Sequence, residues 1–383
     1  MTSVMQYEKL VNEVLIILLR QLSNRFADKP GSAGIVDFPT WLHYFTDDAI
    51  TKIIYGASIG HLEAAKDNHG TLAAMNQILT GHIYFAQWPI VDWIVRKNPI
   101  RLWLGKHGYF NGPGSVTVQH ALREQGKRKD LRRDVEKAGD QRIDNTLTDK
   151  FLSAQEKAES TGERLFGPKD LLALGLSVIA AGSETTAISL SAFFYFLLKH
   201  PSCYAKLRAE VDEALPRSEK EPQPILSFSA SQTMPYLSAC LKETFRLHPA
   251  PAWYPERVVT SPAGHMICGK KIPKGTIVGV SAWLVHRNRD IFGSDADTYR
   301  PERWLEATGE KAKEMDRNLI QFGHGAYTCI GKNIALMELG KCVPTLMRSF
   351  DIELADPEKE WTFIMGSFVN VTDIDVRLKT RSY

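Results

Sequence analysis

Apolar residues recur at helical spacing through the first two-thirds of the chain, and the texture changes after Pro249. Near the start, Val11, Val14, Leu15, Leu18 and Leu19 share one face, with Glu13, Arg20 and Gln21 between them. That is the pattern of an amphipathic helix with a buried stripe. The same periodicity predicts helices over 5–27, 40–58, 70–97, 116–139, 168–199, 201–215 and 236–247. Pro201 suits a first helical turn, where its missing N–H would have no partner in any case. Beyond Pro249, short runs such as Ile277–Val280 are punctuated by Gly264, Gly269, Pro273 and Gly275, and residues 361–378 alternate as strands do. The fold class expected is mainly α with a small β-rich part. We read residues 1–383 as a single domain, a helical body over about 1–250 and a β-rich, cysteine-bearing part over about 251–383, because no linker composition divides them.

One apolar run, Leu171 to Leu198, is long enough to cross a bilayer, about 42 Å at helical rise. Ser183, Glu184, Thr185 and Thr186 interrupt its centre, where a charge is costly in lipid. A buried helix lining a cavity is expected instead, so no segment is read as membrane-spanning. The N-terminus lacks the basic start, apolar run and cleavage site of a signal peptide.

Composition narrows the function classes. The chain has 383 residues, 44% apolar and 24% charged, enough to bury a sizeable core. A formal charge of +3 argues against nucleic acid as a partner. Five cysteines without paired spacing read as reduced thiols rather than a disulfide framework. The charged stretch from Arg123 to Arg142 is either a solvated helix face or a docking site for an electron donor. The aromatic stretch His82–Ile94 is either core packing, with Trp88 and Trp93 filling space, or the wall of an access channel.

Among the cysteines, Cys329 stands apart. It sits in the string FGHGAYTCIG, Phe322 to Gly331, which opens into the helical pattern NIALMEL. A thiolate at a helix N-terminus is electrostatically favoured and can ligate a metal. The surrounding glycines allow close approach to something flat, and Phe322 can cover the sulfur. Midway along the long apolar helix, AGSETT places the small Ala181 near an acid followed by an alcohol, Glu184-Thr185, a pairing suited to proton transfer. Glu243 and Arg246, three apart on a helix, face the same side and can form a charge-assisted pair.

These residues, in this order, resemble the cytochrome P450 family. Its cysteine-ligand signature is Phe, two residues, Gly, three residues, Cys, one residue, Gly, which Phe322, Gly325, Cys329 and Gly331 satisfy. Glu243-Thr-Phe-Arg246 and Pro301-Glu302-Arg303-Trp304 resemble the family's other two motifs, and KKIPKGTIVGVSAWLVHRNRDIFG is similar to fungal members of secondary metabolism. The resemblance implies a P450-like fold and haem b (iron protoporphyrin IX) ligated through Cys329. It implies a proton relay in Glu184 and Thr185 and a bracing network of Glu243, Arg246 and Arg303. Arg257 falls where the family offers an arginine to a haem propionate. Trp253, Tyr254 and residues 366–369 fall where it faces substrate.

The implied activity is monooxygenation of a hydrophobic small molecule in secondary-metabolite biosynthesis, with dioxygen and electrons from NADPH–cytochrome P450 reductase. The same residues would also serve desaturation or rearrangement. Two departures stand out. Position 327, usually basic and paired with a propionate, is Tyr327, and the chain begins where relatives are already past their anchor and a propionate-binding helix. It therefore reads as N-terminally shortened. Relatives sit on the cytosolic face of the endoplasmic reticulum through a segment not found here, and a non-catalytic remnant is the competing outcome.

Overall fold

A computed structural model describes residues 4–95, 97–107, 114–137, 146–162, 167–215 and 225–381. The longer helices are α1 (Glu8–Arg25), α2 (Phe38–Tyr55), α3 (Thr71–Gln87), α4 (Pro89–Val95), α5 (Pro99–Lys106) and α6 (Gly114–Lys137). They continue as α7 (Leu147–Ser160), α8 (Pro168–Lys199), α9 (Pro201–Ala214), α10 (Pro235–Leu247), α11 (Gly309–Asn318) and α12 (Lys332–Ser349). Strand β1 (Ile35–Asp37) pairs antiparallel with β9 (Asp375–Thr380), which pairs with β6 (Phe350–Leu354). Three two-stranded pieces complete the β part: β2 (Arg257–Val258) with β5 (Ile277–Val278), β3 (His265–Ile267) with β4 (Lys270–Ile272), and β7 (Thr362–Met365) with β8 (Val369–Thr372). The mainly helical class with a small β part is borne out.

Local chemistry sets the helix ends. Asp37 caps α2, its carboxylate accepting from Thr40 N at 3.4 Å and Thr40 Oγ1 at 2.6 Å, and Gly56 ends it in the left-handed conformation, φ +80°. The helix expected over 70–97 is broken instead at Trp88, because Pro89 has no N–H to continue the ladder and restricts the residue before it. Three of these helices, α5, α7 and α11, escaped the sequence reading. In α7, Thr146 and Asp149 cap each other's backbone N–H groups, and α11 carries so few apolar residues that its period is faint.

The core forms where α1, α2, α8, α9, α10 and α12 converge, a continuous apolar cluster with members from Val4 to Leu378. Val11, Val14, Leu15, Leu18 and Leu19 of α1 are buried, as the opening stripe predicts. Phe38 and Phe194 meet edge to face at 4.9 Å and are both fully enclosed, each worth about 1.5–3 kcal/mol of burial. Helices α2 and α8 cross closely at Gly182, where an added Cβ would stand 2.9 Å from Ile50 Cγ1. Helix α8 has the length and composition to cross a bilayer, yet its C-terminal half lies in this core. Of the charged stretch, the part within α6 is mostly a solvated face, with Arg123, Lys127, Asp130, Arg133 and Asp134 exposed, and two of its arginines are held by α7. Arg128 is buried and reaches Asp149 at 2.6 Å, and Arg132 reaches Glu156 at 2.7 Å. Residues 138–142 lie outside the described residues.

Candidate active site

The Cys329 loop gets its shape from two left-handed glycines, Gly323 (φ +71°) and Gly325 (φ +64°). A Cβ at 323 would press to 2.9 Å from the Tyr327 carbonyl oxygen, so the tight turn requires glycine there. The Cys329 N–H donates to the Phe322 carbonyl at 2.7 Å and closes the loop. Phe322 packs edge-on against Phe245 of α10 at 5.3 Å. Gly331 caps α12, so the sulfur lies just before the positive end of that helix.

The sulfur opens onto a cavity of about 440 Å³, within the range of small-molecule sites. Ala181, Gly182, Thr185 and Thr186 of α8 line it, with Phe322 and Gly331 of the loop, Ile334, Ala335 and Glu338 of α12, and Phe368. The Thr185 hydroxyl donates to the Ala181 carbonyl at 2.7 Å, a bond that competes with the helical ladder. Gly182 has a second reason to be small, because its bare Cα also admits Ile50.

Glu184 is not part of that lining. One carboxylate oxygen lies 3.1 Å from His43 Nε2 of α2, out of line for a hydrogen bond, and the other accepts from the Asn370 amide of β8. Burial pushes the Glu184 carboxyl up, but His43 and Asn370 together hold it below its ordinary value. Burial likewise disfavours charged His43, and the Glu184 carboxylate outweighs it to raise the imidazole. Acid and alcohol therefore point apart, as neighbours about 100° apart around a helix must.

The expected brace is assembled in full. Glu243 Oε1 accepts from Arg246 at 2.7 Å, Arg303 at 2.9 Å and the Arg300 N–H at 2.9 Å, while Oε2 accepts from Arg246 and the Trp304 indole, both at 2.9 Å. Glu243 and Arg246 are completely enclosed. His286, unnoticed in the sequence, carries this network to the cysteine loop. Its carbonyl accepts from Arg246 at 2.9 Å, and its Nε2 accepts the Ile320 N–H at 2.8 Å. With Nε2 accepting, the ring proton sits on Nδ1, 3.2 Å from the Arg246 carbonyl. Burial first, and the nearby Arg246 charge, lower its pKa to about 4, so the imidazole is neutral at pH 7. Only the histidine within WLVHRNRD could have signalled this, and nothing in its local pattern distinguishes it from a surface residue.

At the other side of the loop, the Arg257 guanidinium lies 4.0 Å from the Tyr327 ring centroid. The two regions expected to face substrate also meet. Pro251 bridges to Phe368, Val369 N donates to the Ala250 carbonyl at 2.8 Å, and Trp253 lies 5.5 Å from Phe368. Tyr254 packs instead on Gly279, where an added Cβ would meet its ring at 2.2 Å. Trp88 and Trp93 do not fill the core; they are 68% and 63% exposed. Cys203, Cys240 and Cys342 are buried, Cys268 lies on an exposed turn, and none of them lines the cavity.

A helical fold that aims one cysteine sulfur into an apolar chamber belongs with proteins that grip a flat prosthetic group through a thiolate. Residues 1–374 match the family model for cytochrome P450. Cytochrome P450 monooxygenase cicH of Emericella nidulans is 36% identical over 383 residues, covering 100% of this chain and 72% of that protein. Cytochrome P450 monooxygenase pkfB of the same fungus is 35% identical, covering 100% and 70%. The crystal structure of the cytochrome P450DA haem domain shares the fold, with TM-score 0.75 at 20% identity over 99% of this chain and 74% of that one. The chain belongs to the cytochrome P450 family and is a monooxygenase of it. Haem is the prosthetic group this family implies, and the residues fit it: a soft sulfur donor at the wall, an apolar lining, and small Ala181 and Gly182 on the long helix.

Proposed function

We propose that this chain holds haem b through the Cys329 thiolate and oxidises a hydrophobic small molecule of secondary metabolism. The observation that carries the reading is the Cys329 sulfur at the wall of the apolar cavity, with the Thr185 hydroxyl lining the same space. When bound through a thiolate, haem iron receives electron density that favours cleavage of the O–O bond of dioxygen. The net reaction takes a substrate C–H, dioxygen, two electrons and two protons to an alcohol and water, the electrons coming from an NADPH-dependent reductase.

The chain's own residues supply the setting. Phe322 and Phe245 line the cavity with the sulfur, and Ala181 and Gly182 leave room for the macrocycle. Thr185 presents a hydroxyl that can pass a proton, while Glu184, set back against His43, keeps a negative charge behind it. Arg257, held flat by Tyr327, is the partner for a haem carboxylate, and the Glu243–Arg246–Arg303 network keeps the cysteine loop in place. Phe368 and Trp253 face the substrate. The apolar core shared between the helical body and the C-terminal strands supports reading the chain as one domain. A reduced carbon monoxide difference spectrum of the purified chain, and its loss in Cys329→Ala, tests the assignment; an unchanged spectrum in the variant refutes it.

A different surface supports a proposal about location. Trp88, Ile90, Trp93, Ile94, Ile100 and Trp103 of α4, α5 and their approach are all more than half exposed, beside Lys97 and Arg101. Tryptophans beside cations on short helices suit the headgroup layer of a membrane. We place this face against the endoplasmic reticulum, where an apolar substrate dissolves.

A further inference from the structure

We propose that Trp283, Trp361 and Tyr195 carry a stranded oxidising equivalent away from the cavity when no substrate is there to take it. A site that activates dioxygen relies on the protein to suppress competing reactions, and an unspent oxidant attacks its own surroundings. Among the described residues, the cavity lining holds no tyrosine, tryptophan, methionine or histidine. Easily oxidised rings begin one layer back. Pro251 lines the cavity, and its carbonyl accepts from the Trp283 indole N–H at 2.9 Å.

From Trp283 the rings are continuous. His248 meets Trp283 at 5.2 Å and Trp361 at 5.1 Å. Trp361 lies flat on Tyr195 of α8, with centroids 3.9 Å apart and planes 7° from parallel. Burial lowers the His248 pKa to about 4, so at pH 7 no positive charge stands on the bridging ring. Tyrosine gives up an electron readily only if its phenolic proton leaves as well. The Tyr195 hydroxyl, on a residue 5% exposed, donates to Glu360. That carboxylate is 71% exposed and also accepts from Lys199 at 2.7 Å. Lys199 and Tyr195 hold the Glu360 carboxyl below its ordinary value, so it is an ionised proton acceptor at pH 7. The path ends in a phenol whose ring is enclosed and whose oxygen is wired to solvent.

In the transfer, Trp283 loses one electron to the oxidant, Trp361 refills Trp283, and Tyr195 refills Trp361. The Tyr195 O–H bond breaks and its proton passes to Glu360, leaving a neutral tyrosyl radical. A soluble thiolate then returns one electron, Glu360 returns the proton, and two spent thiyl groups couple as a disulfide. Each passage reduces the oxidant by one electron.

The inference rests on the haem-thiolate reading, so the test separates the two. Haem-loaded wild type, Tyr195→Phe, Trp361→Phe and Trp283→Phe are mixed with a peracid without substrate, after the carbonyl spectrum of each is recorded. Freeze-quenched electron paramagnetic resonance reads the radicals, a nitroso spin trap with mass spectrometry locates them, and the Soret band reports bleaching. The expected result is a tyrosyl signal, trapped on Tyr195, in wild type. Tyr195→Phe loses it, both tryptophan variants reduce it several-fold, and all three bleach several-fold faster from an intact thiolate spectrum. The proposal is overturned if no adduct forms on Tyr195, if the signal persists in Tyr195→Phe, or if the tryptophan variants match wild type. If a tryptophan variant does not fold, the wild-type adduct and Tyr195→Phe decide it. Absence of the thiolate spectrum in wild type refutes the haem reading instead. A ruthenium photo-oxidant on the Cys329 thiol of Cys268→Ser then replaces the peracid, and the same radical in the same variants judges the relay.

Discussion

The backbone N–H of Ile320 donates to His286 Nε2 at 2.8 Å, and through this bond the buried Glu243–Arg246–Arg303 network reaches the loop that carries Cys329. In the folded chain the His286 pKa is lowered to about 4, against an ordinary 6.5. As pH falls from 6.5 towards 4, the unfolded chain takes up a proton that the folded chain refuses, and stability declines by roughly 3 kcal/mol at most. His286→Leu should lose about 1–3 kcal/mol at pH 7, from the orphaned Ile320 N–H, and should show a shallower acid decline. Denaturant unfolding at several pH values measures both. An acid profile identical to wild type would remove His286 from this role.

Glu243 holds five donors in a fully enclosed site, so Glu243→Ala leaves two arginines without their carboxylate. We expect a loss of about 3–5 kcal/mol, a large fraction of a typical folding free energy, and little haem-loaded protein on purification. Lys242, one residue away, pairs with Asp316 in solvent, and Lys242→Ala should change the melting temperature little.

Thr185 and Glu184 should separate cleanly. Thr185→Ala removes a hydroxyl whose bond among the described residues is to the Ala181 carbonyl, so melting and the carbonyl spectrum should match wild type while more of the consumed oxygen appears as peroxide. Glu184→Leu breaks the contacts with His43 and Asn370 and should cost about 3–5 kcal/mol. Peroxide yield and thermal melts, taken together, test the contrast.

The stack of Arg257 on Tyr327 lies at the surface, where such a contact is worth about 0.5–1 kcal/mol. Tyr327→Phe keeps the ring and should hold haem as wild type does. Tyr327→Ala and Arg257→Ala should both release it several-fold faster to an excess of a haem-scavenging protein.

The exposed tryptophans make a separate prediction. Replacing Trp88, Trp93 and Trp103 together by serine should reduce co-sedimentation with vesicles containing acidic lipid and leave the carbonyl spectrum unaltered.

How much of this was readable beforehand depended on whether the signal was local. The Cys329 loop, the α1 stripe and the Glu243–Arg246 pair announce themselves through spacing along the chain, and each lies where it was expected. His286 and Tyr195 do not, because their meaning comes from partners far away: Ile320 for one, Trp361 and Glu360 for the other. Trp88 and Trp93 were readable as large apolar residues, but their exposure depends on the break at Pro89, which turns a presumed long helix into two. Glu184 and Thr185 were found as a pair, and only the helical rotation between them shows that one faces the cavity and the other faces His43.

A small apolar cluster, Ile50, Ile54, Tyr55, Met75, Ala121 and Ile179, ties α3 and α6 to α2 and α8 apart from the main core. The cysteine loop, by contrast, hangs on the main core and the buried arginines. Replacements in α3 and α6 therefore disturb a modest patch and leave the oxidative apparatus standing. Among the described residues, none that lines the cavity belongs to α3 or α6, so a lineage carrying this architecture can vary that outer patch while the chamber at Cys329 is inherited intact.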